Sequence, residues 1–80
     1  MKCKVIGIQN VNYTSKRTGQ PVVGVSLHCS FPDPNTKGDA VDKFYISDNL
    51  HIDLRDLVPG DDVEIVFNNR GYVCDVCMLP

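Results

Sequence analysis

"VVGVSLHCSF", residues 22–31, alternates cleanly. Val23, Val25, Leu27, Cys29 and Phe31 fall on one face, and Val22, Gly24, Ser26, His28 and Ser30 on the other. A hydrophobic period of two is the mark of a half-buried strand. The first face is apolar enough for a core. The second is small and polar, a surface that can admit a ligand or another backbone.

Upstream, Cys3 and Val5 share one parity and Ile6 and Ile8 the other, with Gly7 at the switch. A glycine inside a strand often marks a bulge, which changes the face that looks inward. Residues 2–13 therefore read as a long first strand, bent at Gly7, with Cys3, Val5 and Ile8 near one core. The segment Thr14 to Pro21 is a turn-rich connection. Downstream, "PDPNTKGD", residues 32–39, is a loop by composition. "AVDKFYIS", residues 40–47, is a third strand, with Phe44 and Ile46 opposite Lys43 and Tyr45.

Asp48 is placed to cap a short helix or turn. Leu50, Leu54 and Leu57 follow at i, i+4 and i+7, a one-sided apolar stripe that Pro59-Gly60 ends. Residues 62–68 form a strand with Val63, Ile65 and Phe67 on one face. "NNRG", residues 68–71, is a tight hairpin signal, and Tyr72 to Leu79 is the last strand. The predicted fold is all-β: a small five-stranded OB-like barrel, one domain over residues 1–80, with one short helix or helical turn between strands three and four. An SH3-like barrel and a strand-only meander are the alternatives.

Eighty residues allow one domain with a modest core. An apolar fraction of 42% argues against disorder. No apolar run approaches the ~20 residues of a membrane helix, and "MKCKVIGIQN" lacks the apolar centre of a signal peptide. A cytoplasmic, membrane-free location is expected, which makes the Asn12-Tyr13-Thr14 sequon a chance match.

The net charge of −2 hides an asymmetry. Residues 1–32 hold Lys2, Lys4, Lys16 and Arg17 and no acid, giving +4. Residues 33–80 set ten acids against Lys37, Lys43, Arg55 and Arg70, giving −6. Such a division hints at an anionic partner.

Cys74 and Cys77 have CxxC spacing. In a strand, residues three apart point to opposite faces, so the two cannot share a metal. Cys3, Cys29 and one of the last pair are expected to line the core. His28 and His51 have no nucleophile at a suggestive position. The nine aspartates follow no Ca²⁺-loop pattern, and no glycine-rich phosphate loop is present. A non-enzymatic protein without metal or cofactor is the expectation.

A binding surface remains. In an OB barrel, ligands lie across strands two and three, between the first and last hairpin loops. The first loop here carries Lys16 and Arg17, and the last carries Arg70. Tyr45 lies on the outward parity of strand three beside Lys43, and Tyr13 and Tyr72 flank the two loops. Cations can meet phosphates and aromatic faces can stack on unpaired bases. Half-buried strand tyrosines and solubilising turn cations are the plainer alternative for each residue singly. The candidate nucleic-acid-binding set is Tyr13, Lys16, Arg17, Lys43, Tyr45, Arg70 and Tyr72.

Three stretches carry a resemblance. "TSKRTGQP" is similar to the basic first hairpin of the helix-destabilising single-stranded-DNA-binding proteins of filamentous phages. "VSLHC", residues 25–29, resembles the strand leading out of it, and "VPGDDVEIVFNNRGYVCDVCMLP", residues 58–80, resembles that family's ending. The position after Pro21, often aromatic in that family, is Val22 here, and "NNRG" is shorter than the family's dimer-building hairpin. The resemblance implies an OB-fold homodimer that coats single-stranded DNA, or RNA, in phage or plasmid replication within a bacterial cell. A small β-barrel interaction or assembly module without nucleic-acid binding is the alternative function.

Overall fold

The computed structural model describes residues 1–79. Five strands form one antiparallel sheet: β1 (Lys2–Thr14), β2 (Pro21–Pro32), β3 (Asp39–Ser47), β4 (Asp62–Phe67) and β5 (Val73–Met78). The spatial order is β3-β2-β1-β4-β5. One 3₁₀ turn, Asp48–Leu50, lies between β3 and β4. The all-β, five-stranded reading holds. The sheet curls but does not close, because no ladder joins its edge strands β3 and β5. Side chains span that seam instead: the rings of Phe44 and Phe67 meet edge-on with centroids 5.8 Å apart, and Phe31 packs against Phe44 at a tilt of 47°, with centroids 6.4 Å apart.

The alternation in β2 holds at its centre, while Val23 at the ribbon end is 42% exposed and Ser26 on the opposite face is buried. Leu27 and Cys29 are fully buried, together with Val5, Val63 and Ile65. Cys3, Ile46, Leu57 and Val76 complete the core. Each large apolar side chain removed from water contributes roughly 1.5–3 kcal/mol.

β1 bulges between Val5 and Gly7, so Val5 faces Cys29 and Gly7 faces His28. The bulge places Ile8 opposite Leu27, but Ile8 joins neither the core nor the side chains packed against it, which corrects the expectation that it lies near the core with Cys3 and Val5. Ile8 is 38% exposed, because the core thins where β4 no longer runs beside β1. A second bulge lies between Val66 and Phe67 and leaves Cys74 of β5 unpaired. Both Cys74 and Cys77 are exposed, which corrects the expectation that one of them lines the core. Val76, opposite Ile65, takes that place. The face argument for Cys74 and Cys77 assumed an unbroken strand, and the bulge at Cys74 removes that assumption.

The leucine stripe also behaves differently from a helix. The cap is Ser47, whose hydroxyl accepts from the Asn49 N–H, and His51 at φ 53° ends the turn at once. Leu57 then reaches the core from a loop, with its N–H bonded to the Leu54 carbonyl. Leu50 stays exposed. The i, i+4, i+7 spacing therefore arises from a folded-over loop.

The start of the chain is tied into the sheet. The Met1 ammonium donates to the Ile65 carbonyl at 2.6 Å. It also sits 2.9 Å from Glu64 Oε2, facing that oxygen as a charge without an aligned hydrogen bond.

Candidate nucleic-acid interface

β3 stays beside β2 only as far as Gly24, opposite Ser47, and β4 leaves β1 after Lys4. Residues 12–23 consequently form a two-stranded ribbon that extends past the rest of the sheet. Its turn is fixed locally. The Gly19 N–H bonds the Ser15 carbonyl at 2.8 Å, the Ser15 N–H bonds the Gln20 carbonyl at 2.9 Å, and Gly19 has φ 73°. Lys16 and Arg17 sit exposed at this tip.

The last hairpin is closed by Asn68. Its side-chain oxygen accepts from the N–H groups of Arg70 and Tyr72, at 2.9 and 3.1 Å. Gly71 takes the positive φ that completes the turn. Arg70 is exposed on that turn, and Tyr72 is 70% exposed beside it.

Between the two turns runs the outer face of β1, β2 and β3. One hollow of about 410 Å³ is lined by Gln9, Val11, Tyr13, Val22, Ser26, Lys43 and Tyr45. A second, of about 640 Å³, lies over the open seam and includes Lys43, Tyr45, Phe67 and Tyr72. Lys43 and Tyr45 border both. The hollows therefore form one trough that brings together Tyr13, Lys43, Tyr45 and Tyr72. Lys16, Arg17 and Arg70 line neither hollow and flank the trough from the two turns.

Tyr45 is held in place. Its hydroxyl donates to the Val23 carbonyl at 3.0 Å, and its ring lies over Gly24. A Cβ at residue 24 would run into the Ile46 carbonyl and come within 2.8 Å of the Tyr45 hydroxyl. Glycine thus lets the ring lie flat on the sheet with its other side outward, 40% of the residue being exposed. Val22, facing Tyr13 across the ribbon, is the apolar part of the wall. Val22 and Ser26 belong to the trough although neither is charged or aromatic. Their outward parity in β2 was the available signal.

The fold also sorts the charges. Lys2 and Lys4 of β1 stand opposite Glu64 and Asp62 of β4. Arg55 is paired with Asp53 at 2.9 Å, and this guanidinium, through its hydrogen bonds, pulls the Asp53 carboxyl down to about 2. Lys16, Arg17 and Arg70 lie on turns, residues 15–20 and 68–72, that contain no acid. Lys43 faces His28 across the strands and follows Asp42 in sequence. Among the described residues, no group of His, Cys, Asp and Glu side chains has metal-site geometry.

The molecule is thus a small five-stranded all-β protein with an aromatic trough on its outer face and cations at both ends. No protein-family model matches the chain, and no curated protein or solved structure matches it either.

Proposed function

We propose that the protein binds single-stranded DNA, without catalysis and with little regard to sequence, along the trough of β1, β2 and β3. The observation that supports this reading is that two adjoining hollows, one bordered by Tyr13 and the other by Tyr72, share Lys43 and Tyr45. Bases stack on the tyrosines, because every base has a π-face. Lys16, Arg17 and Arg70 hold phosphates at the two ends, helped by Lys43. RNA is a further ligand of the same chemistry. A homodimer that coats single strands during phage or plasmid replication is the assembly that the sequence resemblance favours.

Fluorescence anisotropy with labelled oligo-dT tests the reading. Binding is expected at low salt and weakens steeply as salt rises, since neutralised phosphates release counterions. Replacing Lys16 and Arg17 together by alanine is expected to flatten the log–log salt slope by about 1.4, at ~0.7 per phosphate contact on single strands. Absence of binding at low salt sinks the proposal.

A further inference from the structure

One buried polar side chain in the trough makes no side-chain hydrogen bond to the described residues. Ser26 is only 4% exposed. It lies on the outer face of β2 with Gln9 of β1 on one side and Tyr45 of β3 on the other. Neither neighbour bonds it: the polar contacts of Gln9 and Tyr45 go to His28 and Val23. Gln9 Oε1 lies 3.1 Å from His28 Nε2, a hydrogen bond when that nitrogen carries the proton, and Tyr45 donates to Val23. Among the described residues, the Ser26 hydroxyl has no such partner. It is not sealed off either, since Ser26 lines the 410 Å³ hollow. A hydroxyl with no protein partner that opens into a hollow takes its hydrogen bond from what fills the hollow, water or ligand.

We propose that the hollow over Ser26 is a nucleobase subsite, where one unpaired base lies against Tyr13 and Tyr45 and its polar edge hydrogen-bonds the Ser26 hydroxyl. This rests on the nucleic-acid reading above and narrows it from strand to base. Chemistry and shape agree. The hollow is at the small end of ligand sites, which run from roughly 300 to 1,000 Å³, so it suits one base. Gly24 and Ser26 keep the floor of the trough low between longer side chains on β1 and β3. A serine hydroxyl is both donor and acceptor. It can therefore serve any base edge, and the site stays sequence-tolerant while still distinguishing a base from bare backbone. Lys43 at the rim is placed for the phosphate attached to the bound base.

The test compares two oligonucleotides of equal length on the purified protein: oligo-dT, and an oligomer of tetrahydrofuran abasic residues that keeps the phosphates. Ser26→Ala is expected to bind oligo-dT about fivefold more weakly, the scale of one lost hydrogen bond. Its affinity for the abasic oligomer is expected to be unchanged. Equal losses on both, or no loss on oligo-dT, overturn the subsite. A second measurement needs no variant: an oligomer of difluorotoluene nucleotides, which copy thymine's shape without its hydrogen-bonding edge. The unmodified protein is expected to bind it about fivefold more weakly than oligo-dT, and equal affinity overturns the subsite. Failure of the unmodified protein to bind any of these oligomers at low salt removes the nucleic-acid reading itself, and the subsite with it.

Discussion

Cys3 and Cys29 meet in the core, and Cys74 and Cys77 lie in the open. Burial pushes the Cys29 thiol up to about 12, its contact with Cys3 adding to the effect. Burial is also the main cause that raises Cys3. Both stay protonated and inert, since the thiolate is the nucleophile. Cys77 is raised as well, chiefly by the Asp75 carboxylate beside it, but is open to reagent. A disulfide-exchange reagent at pH 8 is expected to titrate Cys74 and Cys77 promptly. Cys3 and Cys29 should respond only on unfolding, and fast reaction of all four would contradict this core. The sign of the pH effect follows. The unfolded Cys29 thiol ionises near its ordinary value of 9.0, whereas the folded one holds its proton to about 12. Its contribution is therefore fully present below pH 9 and is lost between pH 9 and 12.

At the scale of elements, Gly24 is where strand and site constrain each other. Gly24→Ala must push against the Ile46 carbonyl and the Tyr45 ring. Overpacking of this kind costs about 1–3 kcal/mol. Thermal unfolding is expected to fall by several degrees, with tyrosine near-UV circular dichroism changing as the ring lifts. An unchanged spectrum would show that the ring does not rest on residue 24. The strands were readable in the sequence because their polarity alternates: Leu27 and Cys29 on the core face, Ser26 and His28 on the other, although packing buries Ser26 as well. Tyr45 and Lys43 were placed outward by the same parity. The leucine stripe misled because a loop can deliver Leu57 to a core as well as a helix can, and the left-handed residue that ends the turn is His51, which carries no local signal. The bulge at Cys74 was also hidden, since neither glycine nor proline marks it. Ser26 was placed by its parity on the small polar face, but its near-complete burial at the floor of a hollow comes from packing by β1 and β3 and has no local signal.

At the scale of the whole molecule, the division of charge along the chain is partly undone by folding. The acid-free first half returns two of its cations, Lys2 and Lys4, to the acids of β4. It keeps Lys16 and Arg17 at the end of the ribbon, away from that pairing. This could not be seen before the pairing of the first strand with the fourth was known. No helix is long and apolar enough to cross a membrane among the described residues.

The unclosed sheet leaves the β4–β5 hairpin joined to the other strands by one short ladder, although its Val63, Ile65 and Val76 share the single core. β1 runs beside β2 from Lys4 to Thr14 but meets β4 in register only from Lys2 to Lys4. Backbone bonds from Met1 to Ile65 and from Val5 to Gly60 and Asp61 extend that joint slightly. On the opposite side β5 has no ladder to β3. Fraying therefore starts at the edge strand β5, which has one ladder, separately from the doubly paired β2, whereas release of the whole β4–β5 hairpin would also uncover Val63, Ile65 and Val76. Such partial openings are read by amide hydrogen exchange. Amides of β5 are expected to exchange faster than those of β2 at Leu27 and Cys29, and uniform protection across all five strands would rule out the separation. A molecule built this way can loosen the Tyr72 end of its trough while the Tyr45 hydroxyl stays bonded to the Val23 carbonyl; on the function proposed above, a bound strand would leave from the Tyr72 end first.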